Sequence, residues 1–172
     1  MKKNDAFGNK KIKVPFIVPE ITNEDKNEIL SILDQNLLTD GPKLREFEKK
    51  FSKFCGSKYA IGVSSATAAL HLSLAALGIK KNDEVIIPDL TFVATANAVL
   101  FTGAIPVIAD IDKNNFNISI ESIENSITHK TKAIIPVHFA GSPCDMANIR
   151  KIAKKYDLKI VEDCAHAIGA KI

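Results

Sequence analysis

Apolar residues along this chain are arranged in two ways, at helical spacing and in short continuous runs. Near the N-terminus, Thr22 with Asp25 three residues later predicts a helix start, and the apolar residues that follow share one helical face: Ile29, Leu30, Ile32, Leu33 and Leu37. Pro42 predicts the start of a second helix, which Gly56 should end as a C-cap.

From residue 59 onward, short apolar runs alternate with helical patterns. The predicted strands are YAIGV, EVIIP, IPVIAD, AIIPV and KIVED, and the predicted helices are ATAALHLSLAAL, FVATANAVLF, SIESIENSI and DMANIRKIAKKY. Short apolar strands that alternate with helices are typical of a parallel sheet covered on both faces. With right-handed crossovers, the fold class that we predict is α/β, a doubly wound and mostly parallel sheet.

Length and composition fit one globular domain with an N-terminal arm. The chain has 172 residues, of which 46% are hydrophobic and 25% charged. Lysines are concentrated in the first thirteen residues, so we expect residues 1–13 to be a basic flexible arm and the domain to occupy 14–172. Basic residues do not interleave with aromatic ones and Trp is absent, so no nucleic-acid partner is expected.

The sequence also bears on the compartment. It contains no apolar run of the roughly 20 residues that a membrane span needs, and its N-terminus does not resemble a signal peptide. The three cysteines are odd in number and show no C-x-x-C spacing, which favours reduced thiols. We therefore expect a cytoplasmic protein with no membrane partner.

Ligands of such sheets bind beyond the carboxyl ends of the strands, so the residues there are the candidates. Ser65 and Thr67 open a helix, where hydroxyls and free backbone N–H groups suit a phosphate, although a serine N-cap is the simpler interpretation. Phe92 follows the next strand and is either a core residue or a platform on which a ligand ring stacks.

Two other groups of residues suggest metals only weakly. Asp110, Asp112, Asn114 and Glu121 nearly match a calcium loop, but Asn115 replaces its glycine and a strand precedes it, which favours an Asx turn that caps the next helix. A second group has no pair at zinc-ligand spacing, so no metal site is predicted: His138, Cys144, Cys164 and His166.

Asp163 is the most informative candidate. A carboxylate at the end of a buried strand is costly unless something cationic meets it. A protonated cofactor nitrogen would serve, because pyridoxal phosphate needs an acidic partner on its pyridinium nitrogen. A structural salt bridge to a lysine would serve as well, and spacing alone leaves the two open.

Six segments in order resemble the sugar aminotransferases of the DegT/DnrJ/EryC1/StrS family. They are LTDGPKLREFEKKF, YAIGVSSATAALHLSL, DEVIIPDLTFVATANAV, GAIPVIADID, IIPVHFAGSPCDM and VEDCAHAIGA. The likeness runs from about Val14 to the end of the chain. It implies the large domain of the aspartate aminotransferase fold (fold type I) and the cofactor pyridoxal 5′-phosphate.

The resemblance also implies roles for individual residues. Ala66 and Thr67, with Ser65 beside them, match the turn that cradles the phosphate, where Ala66 replaces a frequent glycine. Phe92 matches the aromatic residue that stacks on the pyridine ring. Asp163 matches the partner of the ring nitrogen, and His166 the residue that hydrogen-bonds the ring's phenolic oxygen. His138 lies in the family's H-x-x-G stretch and receives no role.

The same resemblance implies what this chain does not contain. We expect the family's Schiff-base lysine to lie beyond Ile172, together with the rest of the large domain and a small domain, so the chain alone should be inactive and has no catalytic residue. The whole enzyme would be a homodimer that transfers an amino group from glutamate to a nucleotide-linked keto sugar. Alternatives are a sugar dehydratase, with histidine in place of the lysine, and a non-catalytic domain that binds a phosphorylated ligand.

Overall fold

A computed structural model describes residues 18–34 and 37–171, and the predicted basic arm lies outside these ranges. The chain forms six α-helices and four strands within them, with a 3-10 turn at Phe139–Gly141: α1 Asn23–Leu33, α2 Pro42–Cys55, α3 Ala66–Ala76, β1 Glu84–Pro88, α4 Ala94–Phe101, β2 Ile105–Ala109, α5 Ile120–Asn125, β3 Thr131–Ile134, α6 Met146–Tyr156 and β4 Lys159–Ile160. No helix in the described part of the chain is long and apolar enough to cross a membrane.

The first helix begins, and the second begins and ends, where local chemistry predicts. Thr22 and Asp25 form a reciprocal capping box, in which the Asp25 N–H donates to Thr22 Oγ1 at 3.1 Å and the Thr22 N–H to Asp25 Oδ2 at 2.8 Å. Pro42 opens α2, and Gly56 ends it with a positive φ of 67° that glycine adopts without strain. The predicted start of α1 and both predicted ends of α2 are confirmed, but α1 ends at Leu33, before Leu37, which the apolar pattern placed on the same helix.

The four strands form one parallel sheet in the order β2-β1-β3-β4. Alternate residues of β1 point to opposite faces. Val85 and Ile87 pack with α3 and α4, whereas Ile86 packs with α5 and α6. Helices therefore cover both faces, and the predicted doubly wound sheet is confirmed.

The connections after β1 and β3 leave the sheet on opposite sides. The chain passes from β1 through α4 to β2 on one face, and from β3 through α6 to β4 on the other. β1 and β3 are neighbours, so the strand order reverses between them. In open α/β sheets this reversal opens a crevice at the carboxyl ends of the strands, where ligands bind.

One predicted strand is wrong. The segment 59–63 is extended but belongs to no described strand. The Gly62 N–H donates to Glu48 Oε1 of α2 at 2.8 Å instead of to a neighbouring strand. Tyr59, Ile61 and Val63 are exposed, while the residues between them face α2. The apolar pattern was correct for an extended segment, but no described strand lies beside it to complete a ladder.

Candidate active site

Asp163 lies three residues after β4, beside the end of β3. Its backbone N–H donates to the Pro136 carbonyl at 2.9 Å, and its carbonyl accepts from the His138 N–H at 3.2 Å. These bonds form a parallel bridge between Val137 and Asp163 that continues the pairing of the two strands. The backbone of Asp163 is therefore fixed at the carboxyl end of the sheet.

The carboxylate of Asp163 is buried, at 8% exposure, and each of its oxygens accepts a hydrogen bond. The Thr95 hydroxyl donates to Oδ2 at 3.1 Å, and the Ala165 N–H donates to Oδ1 at 3.1 Å. Within the described ranges, no lysine or arginine forms an ion pair with it. The structure therefore gives no support to the lysine salt bridge, one of the two interpretations left open above.

Phe92 is not a core residue. Its side chain is exposed, at 73%, in the loop between β1 and α4. Its carbonyl accepts the Thr95 N–H at 3.0 Å, so Phe92 lies one turn away from the threonine that holds Asp163. An exposed aromatic ring thus stands at the same end of the sheet as the buried carboxylate.

Helix α3 points its N-terminus toward that end as well. Its C-cap residue Leu77 and the following Gly78 line a cavity of about 680 Å³ together with the starts of β3 and β4, Thr131 and Lys159. The N-terminus of this 11-residue helix therefore lies about 16 Å away, toward the carboxyl ends of the strands.

Ser65 is the N-cap of α3. Its hydroxyl accepts the Ala68 N–H at 3.1 Å, which confirms the capping interpretation of this serine. The backbone N–H groups of Ala66 and Thr67 belong to the first turn, where a helix has donors without partners in the helix itself. Ser65 and Ala66 are exposed and Thr67 is half-buried.

His166 lies in the turn that follows Asp163. A Cβ added to Gly141 would lie 3.3 Å from the His166 carbonyl oxygen, and Gly141 has a φ of +88°, so the loop after β3 and this turn approach closely. His166 is exposed. The turn itself is closed by a hydrogen bond from the Ala167 N–H to the Cys164 carbonyl at 2.9 Å.

His138 is buried and hydrogen-bonded through both ring nitrogens. Nδ1 accepts the Cys144 N–H at 3.0 Å, and Nε2 lies 3.2 Å from Glu162 Oε2. Because Nδ1 accepts, the neutral ring carries its proton on Nε2 and donates it to Glu162. We call His138, Cys144 and Glu162 the histidine clasp.

The hydrogen bonds of the histidine clasp disfavour a metal ion at this position. Ligand atoms of His138, Glu162 and Cys164 lie within 4.8 Å of one another, a grouping that sequence spacing did not predict. A metal on Nε2 would require the proton to move to Nδ1, where the Cys144 N–H already points. The hydrogen bonds therefore favour a structural clasp over a metal site.

Two cysteines near the site have a thiol pKa above the ordinary value. Burial raises the pKa of Cys144 to about 11, and its thiol donates to the Val137 carbonyl at 3.2 Å. Burial also raises the pKa of Cys164, with further contributions from the negative charges of Glu162 and Asp163. A thiolate is the nucleophilic form of cysteine, so neither residue is poised for covalent chemistry.

The acidic loop after β2 is an Asx turn, as predicted. The Asn114 N–H donates to Asp112 Oδ1 at 2.7 Å, and Asp110 Oδ1 accepts the Ile111 N–H at 2.8 Å. The predicted capping role of the loop is wrong, because the N-cap of α5 is Ser119, whose hydroxyl accepts the Ser122 N–H. The carboxylates are engaged by their own backbone rather than gathered around a common point.

Residues 19–172 match the DegT/DnrJ/EryC1/StrS aminotransferase family. The chain belongs to this family.

Among curated relatives, the chain is 46% identical over 155 residues to the spore coat polysaccharide biosynthesis protein SpsC of Bacillus subtilis. The matched region covers 90% of this chain and 40% of SpsC. Among solved structures, it matches an aminotransferase from Psychrobacter cryohalolentis with a TM-score of 0.87 and 41% identity, covering 91% of this chain and 40% of that one.

A family member of different chemistry is also similar. GDP-4-keto-6-deoxymannose-3-dehydratase, solved with a trapped PLP-glutamate geminal diamine, matches with a TM-score of 0.85 and 34% identity over 92% of this chain and 42% of that one. The chain thus spans about 40% of the length of the relatives that it matches. Family membership alone does not distinguish transamination from dehydration.

The structure adds one residue that sequence reasoning missed. Thr95 is fully buried and holds the Asp163 carboxylate from 68 residues away. In the sequence it stands within the apolar helix FVATANAVLF, where a threonine gives no sign of a distant partner. No local pattern in a single sequence could have identified it.

Proposed function

We propose that this chain forms the cofactor-binding part of a pyridoxal 5′-phosphate-dependent sugar aminotransferase. The observation that carries the proposal is the Asp163 carboxylate, which is buried at the carboxyl end of the sheet, oriented through both oxygens and not paired with a described lysine or arginine. A buried carboxylate without a cationic partner suits a protonated ring nitrogen.

The other groups at this end of the sheet fit the rest of the cofactor. The first turn of α3, at Ser65, Ala66 and Thr67, would bind the phosphate through backbone N–H groups and hydroxyls. The exposed ring of Phe92 would stack on the pyridine, and His166 would hydrogen-bond its phenolic oxygen. When bound, pyridoxal phosphate supplies an electron sink. The residues of this chain hold and orient it, and Asp163 keeps a proton on its ring nitrogen.

The substrate and partners of the whole protein are a further part of this proposal. We propose a nucleotide-linked keto sugar as amino acceptor and glutamate as donor, in a cytoplasmic homodimer that makes amino sugars for surface glycans. The similarity to a polysaccharide biosynthesis protein supports the sugar, and the dehydratase structure supports both the nucleotide and glutamate. The Schiff-base lysine would lie beyond Ile172.

Binding of pyridoxamine 5′-phosphate to the 172-residue chain tests the proposal. This amine form cannot condense with surface lysines, which the aldehyde form would do in a chain rich in lysine. Calorimetry should show one site, and Asp163→Asn should weaken binding at least tenfold, on the order of the 1.5–3 kcal/mol of a hydrogen bond to a charged group. Asp157→Asn, an exposed residue at the C-cap of α6, is the matched control and should bind as the wild type does.

The alternative of a non-catalytic phosphate-binding domain predicts a different result. Such a site would bind inorganic phosphate as tightly as the cofactor and would not distinguish Asp163→Asn from wild type. Absence of binding by the wild-type chain would contradict the cofactor site itself.

A sugar dehydratase is the second candidate, favoured by the similarity to GDP-4-keto-6-deoxymannose-3-dehydratase. It would use the same cofactor site, so the binding experiment applies to both. Sequencing the source gene beyond the codon for Ile172 separates them, because a lysine at the Schiff-base position supports the aminotransferase and a histidine supports the dehydratase.

A further inference from the structure

Two threonines and Asp163 form a chain of hydrogen bonds at the start of α4. Thr91 Oγ1 lies 2.8 Å from Thr95 Oγ1, and Thr95 Oγ1 donates to Asp163 Oδ2 at 3.1 Å. A hydroxyl has one proton, and that of Thr95 goes to the carboxylate, so Thr95 must accept the proton of Thr91. The direction of the chain is therefore Thr91 to Thr95 to Asp163.

We propose that Thr95 is a positioning residue that aims the Asp163 carboxylate at the ring nitrogen of the cofactor, with Thr91 orienting the Thr95 hydroxyl. The inference rests on the proposed cofactor site. Ala165 holds one carboxylate oxygen from the following loop, and Thr95 holds the other from α4. Two donors from different elements fix the plane of the carboxylate, which one donor alone would leave free to rotate.

The turn from Phe92 to Thr95 also links the Asp163 carboxylate to the exposed ring of Phe92. The Thr95 N–H donates to the Phe92 carbonyl at 3.0 Å, while the Thr95 side chain reaches Asp163. Thr95 is fully buried, so its rotamer is set by its surroundings rather than by solvent. Thr95 therefore bonds both to Phe92, which would stack on the ring, and to Asp163, which would contact the ring nitrogen.

A pair of ligands separates this role from a merely structural one. Pyridoxamine 5′-phosphate has the ring nitrogen, and its 1-deaza analogue has a carbon in that place. The dissociation constant of the deaza analogue divided by that of pyridoxamine 5′-phosphate measures how much the ring nitrogen contributes to binding. We expect Thr95→Val, which preserves shape, to reduce this ratio roughly tenfold, as loss of a hydrogen bond to a charged group would do. Thr95→Ser, which keeps the hydroxyl, should restore most of it.

The matched control is Thr102→Val at the C-cap of the same helix. Its hydroxyl donates to the Val99 carbonyl of its own helix at 2.7 Å and does not contact Asp163, so the ratio should not change. Thr91→Val, at a half-buried position, is a second probe that does not depend on folding of the Thr95 variant. It should lower the ratio by about threefold in the wild-type background, and not at all in Thr95→Val, because coupled residues are non-additive.

Each outcome has one interpretation. Equal weakening of both ligands by Thr95→Val would mean a structural role and would overturn the inference, as would no effect at all. In those cases sensitivity of the ratio to Asp163→Asn would leave the proposed function standing. If the wild-type ratio is one, or Asp163→Asn does not alter it, the cofactor site is wrong and this inference is wrong with it.

Discussion

His138 joins the ends of β3 and β4 through Glu162, whose Oε2 lies 3.2 Å from the imidazole Nε2. The backbone of His138 also donates to the Asp163 carbonyl, so one residue bonds to two consecutive residues that follow β4. The pair is buried on the histidine side only, at 6% side-chain exposure against 38% for Glu162. The bond therefore secures the end of β4, which is a sheet edge.

Removal of the imidazole should destabilise the chain. His138→Leu leaves the buried Cys144 N–H without an acceptor, so we expect the free energy of unfolding to fall by about 2 kcal/mol. Urea denaturation measures this change. His129→Leu, in an exposed loop, is the control and should stay within about 0.5 kcal/mol of wild type. Similar values for the two variants would show that the clasp contributes little.

Gly62 lies close to the side chain of Leu44. A Cβ at Gly62 would collide with Leu44 Cδ1, and the side chain of Leu44 is half-buried in α2. Gly62→Ala should therefore cost about 1 kcal/mol of stability, a typical penalty for one added carbon in a packed contact. The penalty should vanish in the Leu44→Ala background, measured by thermal denaturation of all four members of the cycle. Equal penalties in both backgrounds would assign the effect to the backbone instead.

Asp145 should make part of the stability depend on acidity. The Asn148 N–H and side-chain amide donate to its carboxylate at 3.1 and 2.7 Å, and the backbone bond is the main reason why its pKa lies below the ordinary 3.8. A carboxyl whose pKa is lowered on folding stabilises the protein above its unfolded pKa, and that contribution is lost as the pH falls through the folded pKa.

The test compares melting temperatures at about pH 5 and about pH 3, on either side of the ordinary aspartate pKa. Asp145→Asn keeps a cap acceptor but cannot titrate, so its melting temperature should fall less than that of the wild type between the two values. An identical fall in melting temperature in both proteins would show that Asp145 does not contribute to the pH dependence of stability.

Sequence patterns predicted well the features that are decided locally. The capping box at Thr22, the glycine that ends α2 and the apolar run of β1 each need only neighbouring residues, and the structure shows all three. The arrangement of helices on both faces of a parallel sheet was also predicted correctly, because alternating strands and helices with right-handed connections allow few topologies.

Features that depend on distant partners could not be predicted. YAIGV has the composition of a strand, but whether an extended segment becomes one depends on a neighbour that the sequence does not specify. Thr95 and Asp163 are 68 residues apart, and His138 and Glu162 are 24 apart. Asp163 itself was recognised only because a buried charge at a strand end is unusual, which is a physical signal rather than a pattern.

The reversal of strand order between β1 and β3 has a consequence for how this protein tolerates change. In open α/β sheets a crevice arises at such a reversal because two neighbouring strands send the chain to opposite faces, and it does not depend on small side chains that leave room. Enlarging or recharging the residues around it would alter what fits inside without closing it. Exchange of loop residues therefore changes which ligand the site accepts, while the scaffold that fixes Asp163 stays unchanged.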